Sequence, residues 1–174
     1  MTLNLKFKKI MGLSNLGIFH TVIGVAAIIA AVIAFAKYGK IDLSQLTGKI
    51  YFYCTLIASL TALGISKHGG FNPGHAFSIL IVILILLAYL LYWRKKDSGR
   101  ARYFENFCLS FSFFLSLVPT VNETFTRVPV GHPLAKDIKD PVIANTLLLL
   151  LVLFTAGTVY QIIKQNKINR ELSI

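Results

Sequence analysis

Long uncharged apolar segments alternate with short polar segments along the whole chain. The segments 79–92 and 146–160 contain no charged residue. An apolar stretch of about 20 residues is long enough to cross the hydrocarbon core of a bilayer as a helix. The pattern therefore predicts an all-α polytopic membrane protein. We expect residues 1–174 to form a single integral-membrane domain, a bundle of five transmembrane helices over about 14–36, 50–66, 73–93, 103–120 and 141–163.

Capping residues and prolines mark where these helices begin. Asn72-Pro73 and Asp140-Pro141 each put a capping side chain before a proline, which predicts the starts of the third and fifth helices. Pro119 lies in the fourth segment, and the polar residues after it favour a kinked helix that continues to about Thr126.

Composition agrees with this pattern. The chain is 55% hydrophobic and 14% charged, whereas an average soluble domain is about 25% charged. Its net charge of +11 would suggest nucleic-acid binding in a soluble protein. Here most basic residues flank apolar segments, where they meet lipid head groups. We therefore expect a lipid bilayer as the partner and no nucleic acid.

The distribution of basic residues predicts an orientation. With five spans, eleven of the 18 Lys and Arg residues fall on the side of the loops at 37–49 and 94–102 and of the C-terminal tail. The positive-inside rule assigns that side to the cytoplasm. We expect a bacterial inner-membrane protein with its N-terminus outside and its C-terminus in the cytoplasm, although three lysines before the first span favour the opposite orientation.

The same count of spans brings the ionisable residues toward one membrane face, whichever face is cytoplasmic. That face is expected to carry all four histidines and one carboxylate: His20, His68, His75, His132 and Glu123. His20 and His75 are predicted inside helices, close to the interface. Polar rings there are costly unless paired, and intramembrane ionisable residues often have a function.

Two interpretations of these residues follow. His20 and His75 are candidate axial ligands of one haem b, or the four histidines and Glu123 ligate a Zn, Cu or Fe ion. Alternatively, the helix-borne histidines bond to a carbonyl or water, and Glu123 forms an ion pair with Arg127 four residues later. No short metal-binding motif such as HExxH is present.

Three functions are compatible with the sequence. The first is a metal- or haem-binding protein of membrane redox chemistry or cofactor handling. The second is an accessory subunit of a larger membrane complex or homo-oligomer, favoured by the stripe Ala26, Ala30 and Ala34, which allows close helix packing. The third is a small proton-linked transporter, with Glu123 and the serines of the fourth span along a path. Those serines are also expected to bond between helices. Glu105, near the opposite face, is expected to meet Arg102 or lipid head groups.

Overall fold

The structure, a computed structural model, describes residues 14–65, 70–94 and 98–172. This part of the chain is an all-α bundle of five helices with no strand, and each helix is long and apolar enough to cross a membrane. The helices are α1 (Asn15–Tyr38), α2 (Leu46–Leu63), α3 (Pro73–Arg94), α4 (Gly99–Arg127) and α5 (Pro141–Leu172).

Local sequence explains where the first two helices begin and end. Ser14 caps α1 by accepting a hydrogen bond from the Gly17 amide at 3.0 Å. The helix ends at Gly39, whose φ of 71° is left-handed and therefore favours glycine. The small face of α1 includes Ala31 and Ala34, both fully buried, so α2 approaches closely.

Polar caps also begin α3 and α4. The Asn72 side chain accepts from the His75 amide at 3.1 Å, and the Ser98 hydroxyl accepts from the Ala101 amide. Inside α4, Pro119 interrupts the backbone ladder without ending the helix, which runs on to Arg127. The expected continuation beyond the proline is therefore confirmed.

The fifth helix begins with the Asp140 carboxylate accepting from the Val142 amide at 3.0 Å. It extends to Leu172, beyond the 141–163 expected for the span alone. α5 packs mainly against α4, and most of its apolar side chains face outward. Outward apolar side chains on a membrane helix are compatible with lipid contact.

Side-chain contacts define the two ends of the bundle. The C-terminal half of α5 contacts the turn after α1, where Gln161 donates to the Gly39 carbonyl and Lys164 donates to the Tyr38 carbonyl. We call this the basic end. The opposite end, where α1, α3 and α5 begin, is called the histidine end.

Aromatic rings lie beside cationic side chains at the basic end. Cations over ring faces are favourable, and Trp and Tyr are enriched at membrane–water interfaces. The pairs therefore mark this end of the helices as an interfacial region: Arg94 over Trp93, Arg102 over Tyr92, and Lys164 over Tyr160.

Candidate functional site

His20 joins the first two helices. Its Nδ1 atom lies 2.9 Å from the Ala58 carbonyl oxygen and 3.3 Å from the Thr61 hydroxyl. A carbonyl only accepts, so Nδ1 carries the proton and Nε2 keeps its lone pair. The hydrogen bond to a carbonyl, one of the two interpretations made from the sequence, is therefore present.

His75 lies in the first turn of α3 and is 8% exposed. Its Nε2 atom is 3.3 Å from the Ile65 carbonyl oxygen, just beyond the end of α2. The carbonyls that the two histidines contact are seven positions apart in sequence, about 10 Å by helical rise. The two histidine rings therefore contact carbonyls of the same chain segment, at different positions along its axis.

The remaining predicted ligands have separate surroundings. Glu123 is 61% exposed and forms an ion pair with Arg127, as the four-residue spacing allows. His132 is exposed in the loop between α4 and α5, and His68 lies outside the described residues. Among residues 14–65, 70–94 and 98–172, no three His, Cys, Asp or Glu side chains are grouped to hold a metal ion. The metal and haem ligand set stays a prediction.

A line of hydroxyl groups runs along the inner face of α2. It follows a four-residue spacing, and positions four apart share one helix face, about 6 Å from one to the next. Tyr51, Thr55 and Ser59 are at most 6% exposed. Together with two serines of α4 they form what we call the hydroxyl row: Thr47, Tyr51, Thr55, Ser59, Ser112 and Ser116.

The centre of the hydroxyl row joins α2 to α4. The hydroxyl oxygens of Tyr51 and Ser112 are 2.7 Å apart, and these residues are 1% and 0% exposed. Thr55 and Ser116, one turn further along their helices, lie beside the same tyrosine hydroxyl. The hydroxyls of Thr47 and Thr55 are buried and form no protein hydrogen bond with good geometry. Each of them is therefore able to bond another polar group.

A buried ion pair lies at the basic end of the row. The carboxylate of Glu105 is paired with Arg102, and Glu105 is only 1% exposed. The expected contact between these two residues is confirmed. The loop after α1 places Lys40 and Asp42 close enough to act on Glu105 electrostatically. Burying a carboxylate is unfavourable unless it is paired, so Arg102 is needed here.

Asp42 is itself held ionised in this loop. Burial raises the pKa of its carboxyl, but hydrogen bonds from Ser44 and the positive charge of Lys40 outweigh that effect. The net pKa of Asp42 lies below its ordinary value. The basic end thus includes Asp42, a loop carboxylate, and Glu105, a carboxylate within a helix.

A second polar contact joins α4 to α5. Ser110 donates to the Gln161 side-chain oxygen at 3.0 Å, and the Gln161 amide group donates to the Gly39 carbonyl at 3.1 Å. The sequence-based expectation that serines of the fourth span bond between helices is confirmed for Ser110 and Ser112. Ser116 instead bonds within its helix, to the Ser112 carbonyl.

Sequence reasoning missed the hydroxyl row and gave Glu105 only a peripheral role. The signal was available: the hydroxyl-bearing residues Thr47, Tyr51, Thr55 and Ser59 recur every four positions in a largely apolar segment. Such a spacing predicts one polar face. The chain matches no known protein family, no curated protein and no solved structure.

Proposed function

We propose that the protein is a small proton-linked transporter whose proton path follows the hydroxyl row. The observation that carries this proposal is the buried contact between Tyr51 and Ser112, which joins α2 and α4 in the middle of the bundle. Apolar side chains would pack equally well inside a membrane bundle. A buried row of hydroxyls therefore adds no stability unless the hydroxyls form hydrogen bonds, and it serves no function unless they conduct protons.

Hydroxyl groups suit proton transfer because each one donates and accepts a hydrogen bond. Successive members of the row are about one helical turn apart, so single water molecules are able to bridge them. The hydroxyls of Thr47 and Thr55 have no hydrogen-bond partner, so each has a hydrogen bond to offer a water molecule that enters the row. The row contains no charged side chain, which favours protons or small neutral solutes over other ions.

Glu105 is the proposed proton acceptor. It is the carboxylate most deeply buried among the described residues, and it faces the bundle interior at the basic end of the row. Protonation would remove its negative charge and weaken the ion pair with Arg102. Arg102 also lies over the Tyr92 ring, which holds it in place when the pair weakens. Proton uptake would therefore change the contacts of Glu105 while Arg102 stays against α3.

Proteoliposomes containing a trapped pH dye test this proposal. A potassium gradient with valinomycin drives protons inward, and the rate of internal acidification is compared with that of empty vesicles. We expect faster acidification with the native protein than in empty vesicles. With Glu105→Gln the rate should equal that of empty vesicles. Thr55→Val, which removes one hydroxyl at nearly constant volume, should slow the flux without altering folding.

Glu123→Gln is the matched control, since it neutralises a carboxylate on the same helix that is exposed and outside the row. Its flux should equal that of the native protein. Native vesicles no more permeable than empty ones, or equal rates for Glu105→Gln and Glu123→Gln, would contradict the proposal. Gel filtration in detergent separates loss of flux from loss of folding.

Metal or haem binding is a second candidate function, favoured by the geometry of His20. Because Nδ1 donates to the Ala58 carbonyl, Nε2 is oriented with a free lone pair, as in many metal-binding histidines. An absorption spectrum and elemental analysis of the purified protein test it. A Soret band or a stoichiometric metal that disappears in His20→Ala would support this function, and a colourless, metal-free protein would contradict it.

A further inference from the structure

One exposed stripe of α5 changes from apolar to basic along its length. Its members are three or four positions apart and therefore share one face of the helix. Leu149, Leu153 and Tyr160 on this face are each more than half exposed. We call it the outer stripe, and it consists of Leu149, Leu153, Ala156, Tyr160, Lys164 and Lys167. The outer stripe is separate from the hydroxyl row, which lies on α2 and α4.

The length of α5 places the two lysines at the depth of lipid head groups. Residues 141–160 rise about 30 Å, which is the thickness of a hydrocarbon core. Tyr160 therefore lies at the far edge of that core, where tyrosine is favoured. Lys164 is about 6 Å further along the axis, within a head-group layer that is about 5–7 Å deep. Lys167 is about 10 Å further, but helical side chains lean toward the N-terminus, so its long side chain reaches back to the same layer.

Contacts with the protein hold the Lys164 side chain in place. Its Nζ atom donates to the Tyr38 carbonyl at 3.0 Å and lies 5.8 Å from the centre of the Tyr160 ring. An ammonium group has three hydrogens, so two are left for an acceptor outside the protein. A side chain that is already ordered loses less entropy when it binds a ligand. Lys164 is therefore a preorganised donor on an exposed surface.

The positive charges of this surface are not neutralised by carboxylates. In the part of the chain that the structure describes, neither Lys164 nor Lys167 forms an ion pair. Glu171 is on the same face of α5, but it is about 16 Å beyond Tyr160 along the axis and so outside the head-group layer. The head-group layer at the outer stripe therefore meets two positive charges and no negative one.

The two parts of the outer stripe together determine which occupant fits. Two ammonium groups favour an anion, and lysine is a common ligand of phosphate. A choline head group would instead bring a further positive charge against them. The apolar part, from Leu149 to Tyr160, lies within the hydrocarbon core, where it contacts acyl chains. An occupant that carries both a negative head group and acyl chains matches the whole stripe.

We infer that the outer stripe of α5 binds one acidic phospholipid, with a head group of the phosphatidylglycerol kind. The phosphate oxygens accept hydrogen bonds from Lys164 and Lys167. The acyl chains lie along the apolar part of the stripe, below the Tyr160 ring. Because Lys164 also donates to the Tyr38 carbonyl, the bound lipid lies where α5 meets the turn after α1.

Native mass spectrometry of the protein in detergent tests the inference. Phosphatidylglycerol and phosphatidylcholine with identical acyl chains are added in equal amounts, so that only the head group differs. We expect the protein to retain one phosphatidylglycerol at about tenfold lower lipid concentration than one phosphatidylcholine, because two lysines act on a single phosphate. Equal retention of the two lipids would overturn the inference.

Single lysine variants identify the site. Lys167→Gln should weaken retention of phosphatidylglycerol about fivefold and leave that of phosphatidylcholine unchanged. Lys164→Gln should have an effect of the same size. The control is Lys49→Gln, which removes an exposed charge at the same end of the bundle, on a helix that packs mainly against α1 and α3. Equal effects of Lys167→Gln and Lys49→Gln would mean that diffuse surface charge attracts the lipid, and would overturn the assignment to α5.

Glycerol 3-phosphate distinguishes a lipid from a free phosphate compound. It carries the phosphate group but no acyl chain, so it makes no use of the apolar part of the outer stripe. We expect it to displace bound phosphatidylglycerol no better than sodium chloride of the same ionic strength. Displacement well beyond that of the salt would overturn the assignment to a lipid, and retention of the lipid supports it.

Discussion

Tyr51 of α2 donates its phenolic hydrogen to Ser112 of α4, across the interior of the bundle. The two oxygens are 2.7 Å apart. Because the Ser112 hydroxyl already donates its single hydrogen to the Leu109 carbonyl at 2.8 Å, it accepts from the tyrosine. This contact gives α2 and α4 a fixed lateral relationship, although their backbones pack mainly against other helices.

Tyr51→Phe removes this link while keeping the ring. We expect a loss of about 1 kcal/mol in the free energy of unfolding, the usual range for a single hydrogen bond between membrane helices. Unfolding of the detergent-solubilised protein by increasing mole fractions of dodecyl sulfate measures the change. Because Ser112 still donates to Leu109, no donor is left unpaired.

Tyr53→Phe is the control for this prediction. Tyr53 is on the same helix two positions later, and it is 56% exposed on the outer side. Removal of its hydroxyl should leave the free energy of unfolding unchanged. Equal destabilisation by the two changes would mean that the inner contact contributes nothing specific.

Much of the fold could be predicted from the sequence, because apolar length alone decides which segments cross a membrane. The pairs Glu123–Arg127 and Arg102–Glu105 could be anticipated as well, since residues three or four apart on a helix are neighbours. These features depend only on one segment at a time.

Contacts between helices could not be predicted in the same way. A helix that is apolar on all sides gives little indication of which face turns inward. The position of His20 against the Ala58 carbonyl depends on how α1 packs on α2, which no local pattern specifies. The proposed convergence of His75 and Glu123 depended on the same missing information.

Gln161 connects three parts of the molecule at the basic end, so its replacement should have a large local effect. In Gln161→Leu the Ser110 hydroxyl and the Gly39 carbonyl both lose a partner. Unpaired buried polar groups cost about 1–3 kcal/mol each. We expect lower stability and faster amide hydrogen exchange in the loop at 39–45, measured by mass spectrometry.

Asn166→Leu serves as the comparison for Gln161→Leu. Asn166 is on the same helix and is exposed, so a similar polar-to-apolar change there leaves the loop contacts intact. Exchange at 39–45 should stay at the native rate. Unchanged hydrogen exchange at 39–45 in Gln161→Leu would show that contacts with α5 do not stabilise the loop.

Asp140 makes the start of α5 sensitive to acid. Hydrogen bonds from the backbone amides of Val142 and Lys136 hold the pKa of its carboxyl below the ordinary value of 3.8. A carboxyl with a lowered folded-state pKa stabilises the fold above the unfolded pKa, and this contribution is lost as the pH falls through the folded value. We expect hydrogen exchange at residues 141–144 to be faster in Asp140→Ala than in the native chain at neutral pH. The difference should vanish in strong acid.

Asp137→Ala tests whether this effect is specific to the cap. Asp137 is an exposed residue of the same loop, and its carboxylate accepts from the Lys139 amide. Its removal should leave exchange at 141–144 unchanged. A difference between Asp140→Ala and the native chain that persists at low pH would contradict the electrostatic explanation.

His20 should stabilise the packing of α1 on α2 through its bond to the Ala58 carbonyl. His20→Ala removes a ring that fills space between the helices and leaves Thr61 with only its bonds inside α2. We expect a loss of about 1–3 kcal/mol in the free energy of unfolding, from packing and the hydrogen bond together.

His132→Ala, in the exposed loop, should change the free energy of unfolding by less than about 0.5 kcal/mol. If His20→Ala is as stable as His132→Ala, the ring is free for another role, and the metal content of the native protein becomes the deciding measurement.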